Sequence, residues 1–194
     1  NRSSTKLQAN FILLAGYTDY VGSLLNDPTC DTYGCYKSRT ANKIMDIDIG
    51  VRKSYLFANH IELSAGLGIG YRYWDRALSI SQVEDYRWYS LRTMIGVSYH
   101  TGNKFTFGGE VEYQSGFNET MGASNLGTTF TLGGADIITF SIPLVYDYSS
   151  KMNFTAKFIY EKQTIVASNI INGYYEPDST AKNKYIQVGV DFKF

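Results

Sequence analysis

The chain has 194 residues, which is enough for one domain spanning 1–194. Its 18 basic and 18 acidic residues cancel, so no bulk electrostatic field favours nucleic acid as a partner. No apolar run approaches the roughly 18 residues of a transmembrane helix, the longest being residues 11–15. No charged-then-apolar leader opens the sequence, so we expect a mature chain.

Eight segments alternate apolar and polar side chains with a period of two, which predicts β-strands. These segments cover 6–20, 44–57, 61–74, 89–99, 105–114, 138–148, 154–163 and 185–194. The connections between them are alternately long and short, and the later long ones cover 75–85, 115–135 and 168–183. A tilted strand crosses a bilayer in roughly 9–11 residues. The pattern, with 17 Tyr and 18 Gly, therefore predicts an all-β, eight-stranded antiparallel up-and-down transmembrane β-barrel.

Two places in the sixth segment complicate the strand count. Pro143 removes a ladder donor, but the alternation keeps its parity across it, so we expect a local defect within one strand. The Gly133-Gly134 pair could form a turn, which would add a short hairpin above the membrane.

The last segment alternates most strictly and ends on an aromatic residue. Its apolar positions are Ile186, Val188, Val190, Phe192 and Phe194. This ending resembles the closing strand of bacterial outer-membrane β-barrels, which implies that Phe192 and Phe194 form the signal read by the barrel-assembly machinery. The whole pattern is similar to the small eight-stranded outer-membrane family of the OmpA, OmpX and NspA type. The resemblance implies a Gram-negative outer membrane, outer-membrane lipid as surroundings and, with an even strand number, both termini in the periplasm.

Aromatic residues decide which face of the strands points outward. On the apolar face they separate into two groups, one near each end of the segments. Two aromatic belts that flank an aliphatic band are typical of a surface that faces lipid, because amphipathic rings prefer the two interfaces. We therefore place the apolar face outside and the polar face in the lumen.

The lumen is then lined by charged side chains, and eight strands leave it just wide enough for side chains to fill. Strand register predicts that Arg92 lies beside Glu112. Looser matches of the same kind are Asp46 with Arg72 and Lys157 with Asp191. Because buried charges persist when they are paired, we interpret the set as a structural plug rather than an ion or proton path. The predicted network comprises Asp46, Asp48, Arg52, Glu62, Arg72, Arg92, Glu110, Glu112, Lys157, Glu161 and Asp191.

Cys30 and Cys35 lie close together in the first long, polar connection. Two thiols without a nearby His make a poor metal site. A disulfide formed in an oxidising periplasm is the favoured interpretation.

Catalytic features are weak in this sequence. Barrel enzymes of similar size use a His near the outer rim, whereas His60 and His100 both fall at short turns. Residues 66–70 carry alternate glycines inside a strand with no helix after it, so they do not form a phosphate loop. We expect no enzyme activity and no catalytic, cofactor or metal site.

The family resemblance implies no single activity, since such barrels serve as adhesins, envelope anchors or partners of larger assemblies. We expect a plugged barrel that acts through its external loops as a surface-contact, anchoring or assembly-partner protein. A narrow passive channel is the alternative, and a lipid-modifying enzyme is a more distant one. The candidate residues for contact with a protein partner are Tyr33, Tyr36, Met121, Leu126 and Phe130. The last three could equally pack on the barrel rim.

Overall fold

The computed structural model describes residues 2–22, 29–30, 32, 34–57 and 60–192. All regular structure in this part of the chain is β-strand, and none of it forms a helix long and apolar enough to cross a membrane. Tyr33 and Phe194 lie outside the described residues, as do the side chains of Asp191 and Phe192. The strands are β1 Arg2–Gly22, β2 Tyr36–Phe57, β3 Ile61–Ala77, β4 Val83–His100, β5 Phe105–Ala123, β6 Thr128–Asp147, β7 Met152–Ser168 and β8 Ser179–Phe192.

The eight strands form one antiparallel up-and-down β-barrel in which each strand pairs with its neighbours in sequence. The sheet curls so far that Arg72 of β3 reaches Glu161 of β7 across the interior. Among the described residues, the backbone pairings run from β1 to β8 without joining these two edge strands to each other. We call the end with the connections 58–60, 101–104 and 148–151 the turn end, and the opposite end the loop end.

The outward face confirms the predicted arrangement of apolar residues. Aliphatic side chains such as Leu67, Ile69 and Ile95 are exposed in the middle of the strands. Ring pairs lie near the turn end, including Tyr99 with Phe107, and near the loop end, including Tyr71 with Tyr89. An exposed aliphatic band between two aromatic belts is the surface that a lipid bilayer requires.

The strands extend further toward the loop end than we predicted. Residues 75–85 and 115–135 were expected to be long connections, but only 78–82 and 124–127 lie between strands there. The pattern inverts in this part of the barrel: Trp74 and Phe130 point inward, whereas Asp75 faces outward. Beyond the lipid, water surrounds the barrel, so apolar side chains gain by moving inside. A rule that places apolar residues outside cannot recognise these extensions as strands.

Inward and outward positions also change parity in β5 and β6. In β5, Gln114 and Met121 both point inward, although they are an odd number of positions apart in the sequence and regular alternation would place them on opposite faces. The extra residue lies where the β4–β5 register shifts, next to Asn118 with its positive φ of 55°. In β6 the change occurs between Leu132 and Ala135. Gly133 and Gly134 therefore lie within a continuous strand, at a close approach where a Cβ on Gly133 would come within 2.8 Å of Val166.

Pro143 produces the local defect that we predicted. β6 continues through it, and Pro143 keeps its register with Lys157 on β7. On the β5 side, the pairing passes from Leu144 directly to Ser141, leaving Ile142 and Pro143 unpaired. The missing N–H of proline accounts for this gap in the ladder.

Candidate functional site

The lumen is filled by successive layers of side chains, beginning with a small ionic cluster toward the turn end. Arg52 contacts Glu110 at 2.6 Å, and Lys157 donates to the other oxygen of Glu110 at 2.9 Å. Nearer the turns, Glu62 lies 3.6 Å from His100. Lys157 was expected to pair with Asp191. The register places Lys157 opposite Gln187 and Asp191 opposite Asn153, so the predicted side-by-side position of Lys157 and Asp191 was wrong.

The next layer, which we call the central charge layer, contains Asp46, Asp48, Arg72, Arg92, Glu112 and Glu161. Arg72 donates to Asp46 at 2.8 Å and to both oxygens of Glu161 at 3.0 and 2.9 Å. The predicted pairings of Arg72 with Asp46 and of Arg92 with Glu112 are both present in the structure, the latter at 2.6 Å.

Arg92 links the two halves of this layer. Besides Glu112, it contacts Asp48 at 2.8 Å and Asp46 at 3.4 Å. A polar cleft of about 50 Å³ remains beside Asp48, Arg92 and Glu112. That volume holds only a few water molecules. The charges of this layer therefore pair across the lumen.

An apolar layer lies above the central charge layer, toward the loop end, and sequence reasoning missed it. We call it the aromatic plug, and its buried members include Trp74, Tyr86, Trp88, Met121, Phe130, Ile137 and Ile165. The rings of Trp74 and Tyr86 stack at 4.8 Å, and the indole N–H of Trp74 donates to Asn42 at 2.9 Å. Along each stretch of strand these residues alternate as the lipid-facing ones do, but their apolar side chains point inward.

The aromatic plug corrects our assignment of the third loop as a contact surface. Met121 and Phe130 were candidates for contact with a partner, but both are completely buried in the plug. Leu126 is partly buried and packs against the same cluster. They belong to the β5–β6 extension, whose inward face carries large apolar residues. The burial of these side chains agrees with the alternative interpretation, in which they pack on the barrel instead of contacting a partner.

A buried polar cluster closes the loop end of the lumen. This mouth cluster consists of Arg76, Glu84, Tyr86 and Glu176. The Nε of Arg76 donates to Glu84 at 3.0 Å, and its Nη2 donates to Glu176 at 3.3 Å. The hydroxyl of Tyr86 donates to Glu176 at 2.7 Å. Two carboxylates thus share one guanidinium inside the barrel.

Glu176 reaches the mouth cluster from the connection between β7 and β8. Its N–H donates to the hydroxyl of Ser168 at 2.9 Å. A tight turn at Asn172 and Gly173, with φ of 53° and 86°, precedes it, and the flanking Ile171 and Tyr174 pack against the aromatic plug. The Asn-Gly pair is a recognisable turn signal in the sequence. Nothing in the local sequence indicates that the carboxylate points inward.

Burial dominates the electrostatics of Glu176, which lies outside the strands. Burial and the neighbouring Glu84 carboxylate raise the pKa of Glu176 to about 7, with Arg76 opposing that rise. Glu176 therefore holds its proton to a higher pH in the folded protein than an exposed glutamate does.

The loop end also carries a disulfide and several exposed apolar side chains. Cys30 and Cys35 form the predicted disulfide in the β1–β2 connection. Tyr36 is only half exposed, because its hydroxyl donates to the carbonyl of Leu78 at 3.1 Å. Ile80, at the tip of the β3–β4 hairpin, is fully exposed. Ile170 and Tyr175 are exposed on the β7–β8 connection.

The two imidazoles stabilise turns. Nδ1 of His60 lies 3.0 Å from the carbonyl oxygen of His100, and Nδ1 of His100 lies 2.9 Å from the hydroxyl of Thr106. Both residues lie at the turn end, away from the mouth cluster.

No protein-family model and no curated protein matches this sequence. Among solved structures, the crystal structure of the outer membrane protein OprG from Pseudomonas aeruginosa is similar, with a TM-score of 0.51. The similarity covers 97% of this chain and 94% of that one, at 14% sequence identity. The chain has the fold of a small outer-membrane β-barrel. At this identity the likeness concerns the fold alone, and a shared fold does not imply a shared function.

Proposed function

We propose that this protein is a bacterial outer-membrane barrel with a sealed lumen that acts through its external loops as a surface-contact, anchoring or assembly-partner protein. The observation that carries the proposal is the filling of the lumen by the central charge layer, the aromatic plug and the mouth cluster. In this proposal, these layers block a continuous aqueous path through the part of the barrel that the structure describes, so the working surfaces are on the outside.

The loop end is the surface that best suits contact with a partner. Ile80 projects fully into solvent from a hairpin tip that has serines on both sides, and Ile170 and Tyr175 are exposed on a second connection. Exposed apolar residues on polar connections are typical of protein contact sites. In this proposal the loop end faces outside the cell, and both termini lie in the periplasm at the turn end. The proposal assigns the protein no catalytic step.

The proposal is tested by separating the loops from the lumen. One variant replaces Ile80, Ile170 and Tyr175 with Ser, and a second replaces Arg92 and Glu112 with Gln. A third, which replaces the exposed Ser124 and Thr129 with Ala at the same end of the barrel, serves as the matched control. Each is expressed in cells, cross-linked on the intact surface and purified in mild detergent.

We expect the Ile80, Ile170 and Tyr175 variant to lose the proteins cross-linked to the wild type while its barrel remains folded. The Arg92 and Glu112 variant should keep those proteins and unfold at a lower temperature. Loss of the cross-linked proteins in the lumen variant alone would place the working site inside the barrel and contradict the proposal.

A further inference from the structure

Charged residues mark the loop-end border of the apolar band on the outer surface. On β7, the exposed Phe158 and the half-buried Tyr160 are followed on the same face by Lys162. On β8, the exposed Ile186 is followed toward the loop end by Lys184 and then Lys182. The border is therefore basic on these two neighbouring strands, at the level where lipid headgroups meet a barrel.

The three lysines, which we call the basic patch, are crowded on one face. Lys162 lies directly opposite Lys182 in the β7–β8 pairing, and Lys184 lies opposite Tyr160. Like charges directly opposite each other across two strands are destabilising. No ion pair involving these lysines occurs within the described part of the chain.

The nearest outward carboxylate on the adjoining strand is already engaged. Asp136 of β6 lies opposite Thr164, one position beyond Lys162 on the same face of β7. Its carboxylate accepts a hydrogen bond from the hydroxyl of Tyr113 at 2.9 Å. The exposed Asp178, which precedes β8, accepts a hydrogen bond from the N–H of Ala167 at 2.7 Å. Neither carboxylate forms an ion pair with the three lysines, which outnumber them, so the basic patch keeps a net positive charge.

The opposite side of the barrel has a different border. On β3 and β4, Asp75 lies opposite Asp85, and Asp85 pairs with Arg87 at 2.8 Å. β2 also carries exposed Lys37, Arg39 and Lys43, but Arg39 lies opposite Asp19 and Lys43 lies opposite Asp75. In the β7–β8 pairing, by contrast, no lysine of the basic patch lies opposite a carboxylate. Local accumulation of one charge suits a particular anionic partner better than a general attraction to the membrane surface.

We propose that Lys162, Lys182 and Lys184 bind the phosphate groups of an anionic glycolipid in the membrane leaflet at the loop end. The acyl chains of this lipid lie along Phe158, Tyr160 and Ile186, directly below the lysines. A lipid satisfies both halves of the surface at once, because the ammonium groups receive the phosphates and the exposed rings and aliphatic side chains receive the chains. This inference depends on the barrel fold and is independent of what the loops contact.

The test measures binding of diphosphoryl lipid A to the folded protein in detergent by native mass spectrometry. The test variant is K162Q/K182Q/K184Q, and the matched control is K53Q/K104Q/K151Q, which removes the same charge from exposed lysines toward the turn end. Each lysine near an anionic surface contributes about a fivefold factor, so the test variant should bind about a hundredfold more weakly. The control variant and the wild type should bind alike.

Two further measurements make the outcome decisive. Added NaCl should weaken lipid binding to the wild type much more than to the test variant. A phosphate-free form of the same lipid should bind equally to all three proteins. Because the lysines repel one another, the test variant should be at least as heat-stable as the wild type in neutral detergent. Equal lipid binding by the wild type and the test variant would overturn the proposal, and so would an equal loss of binding in the control variant. The proposal would also be overturned if the three lysines were needed to bind a protein and not the lipid.

Discussion

Replacement of Arg72 by Met removes the central cation of the lumen while preserving most of its volume. Arg72 is almost completely buried and donates to Asp46, Glu161 and Gln163. Its loss leaves the buried carboxylates of Asp46 and Glu161 short of a partner, although Asp46 keeps Arg92 at 3.4 Å and Glu161 keeps Asn183 at 3.0 Å. Removing one member of a buried ion pair costs about 3–5 kcal/mol. We expect the free energy of unfolding to fall by that amount.

A second substitution tests the physical reason for this loss. In R72M/E161L, the most isolated carboxylate is removed together with its partner, and buried ion pairs can be replaced by apolar residues at little cost. The double variant should therefore regain much of the stability lost in R72M. Urea unfolding of protein folded into liposomes, followed by the fluorescence of Trp74 and Trp88, measures both. The reasoning is refuted if R72M unfolds within about 1 kcal/mol of the wild type, or if the double variant is no more stable than the single one.

Three further predictions concern the loop end and the last strand. Because the pKa of Glu176 is raised to about 7, the folded protein retains a proton that the unfolded chain releases, so its stability declines as pH rises. The wild type should therefore lose heat stability relative to Glu176→Gln between about pH 5 and pH 8. Unfolding temperatures that change in parallel with pH in the two proteins would contradict this. Peptides from the unreduced protein should carry Cys30 and Cys35 as a disulfide, and recovery of two free thiols would be inconsistent with it. Deletion of Phe194 should reduce barrel assembly in cells far more than it lowers the stability of protein already inserted, whereas normal surface levels of the truncated chain would argue against an assembly signal.

The sequence was sufficient to predict the membrane-spanning part of the fold, because one physical rule governs all eight strands there. Alternation such as Ile61, Leu63 and Ala65 against polar neighbours reports directly that one face meets lipid and the other meets the lumen. The same register arithmetic predicted the ion pair of Arg92 with Glu112, although the two residues are not directly opposite each other. The strand register places Arg92 opposite Gln114 and Glu112 opposite Met94, so the two side chains meet diagonally.

Prediction was poorer beyond the lipid for two physical reasons. The solvent outside the barrel changes from lipid to water, so Trp74 and Phe130 occupy the inward face that charged residues occupy lower down. Parity shifts near Asn118 and Gly133 also break the simple alternation. Glu176 shows the limit most clearly, because its partners Arg76 and Tyr86 are distant in sequence and only the folded connection brings them together.

The sealed lumen is the central claim, and electrical recording from single barrels tests it most directly. Purified, folded protein is inserted into planar lipid bilayers, and current is recorded under an applied voltage, with a larger open porin inserted in parallel to verify incorporation. Because paired charges, the aromatic plug and the mouth cluster fill the interior in turn, we predict no stable unitary current from the wild type. Long-lived, uniform current steps from the pure protein would contradict the sealed lumen and would identify the barrel as a channel.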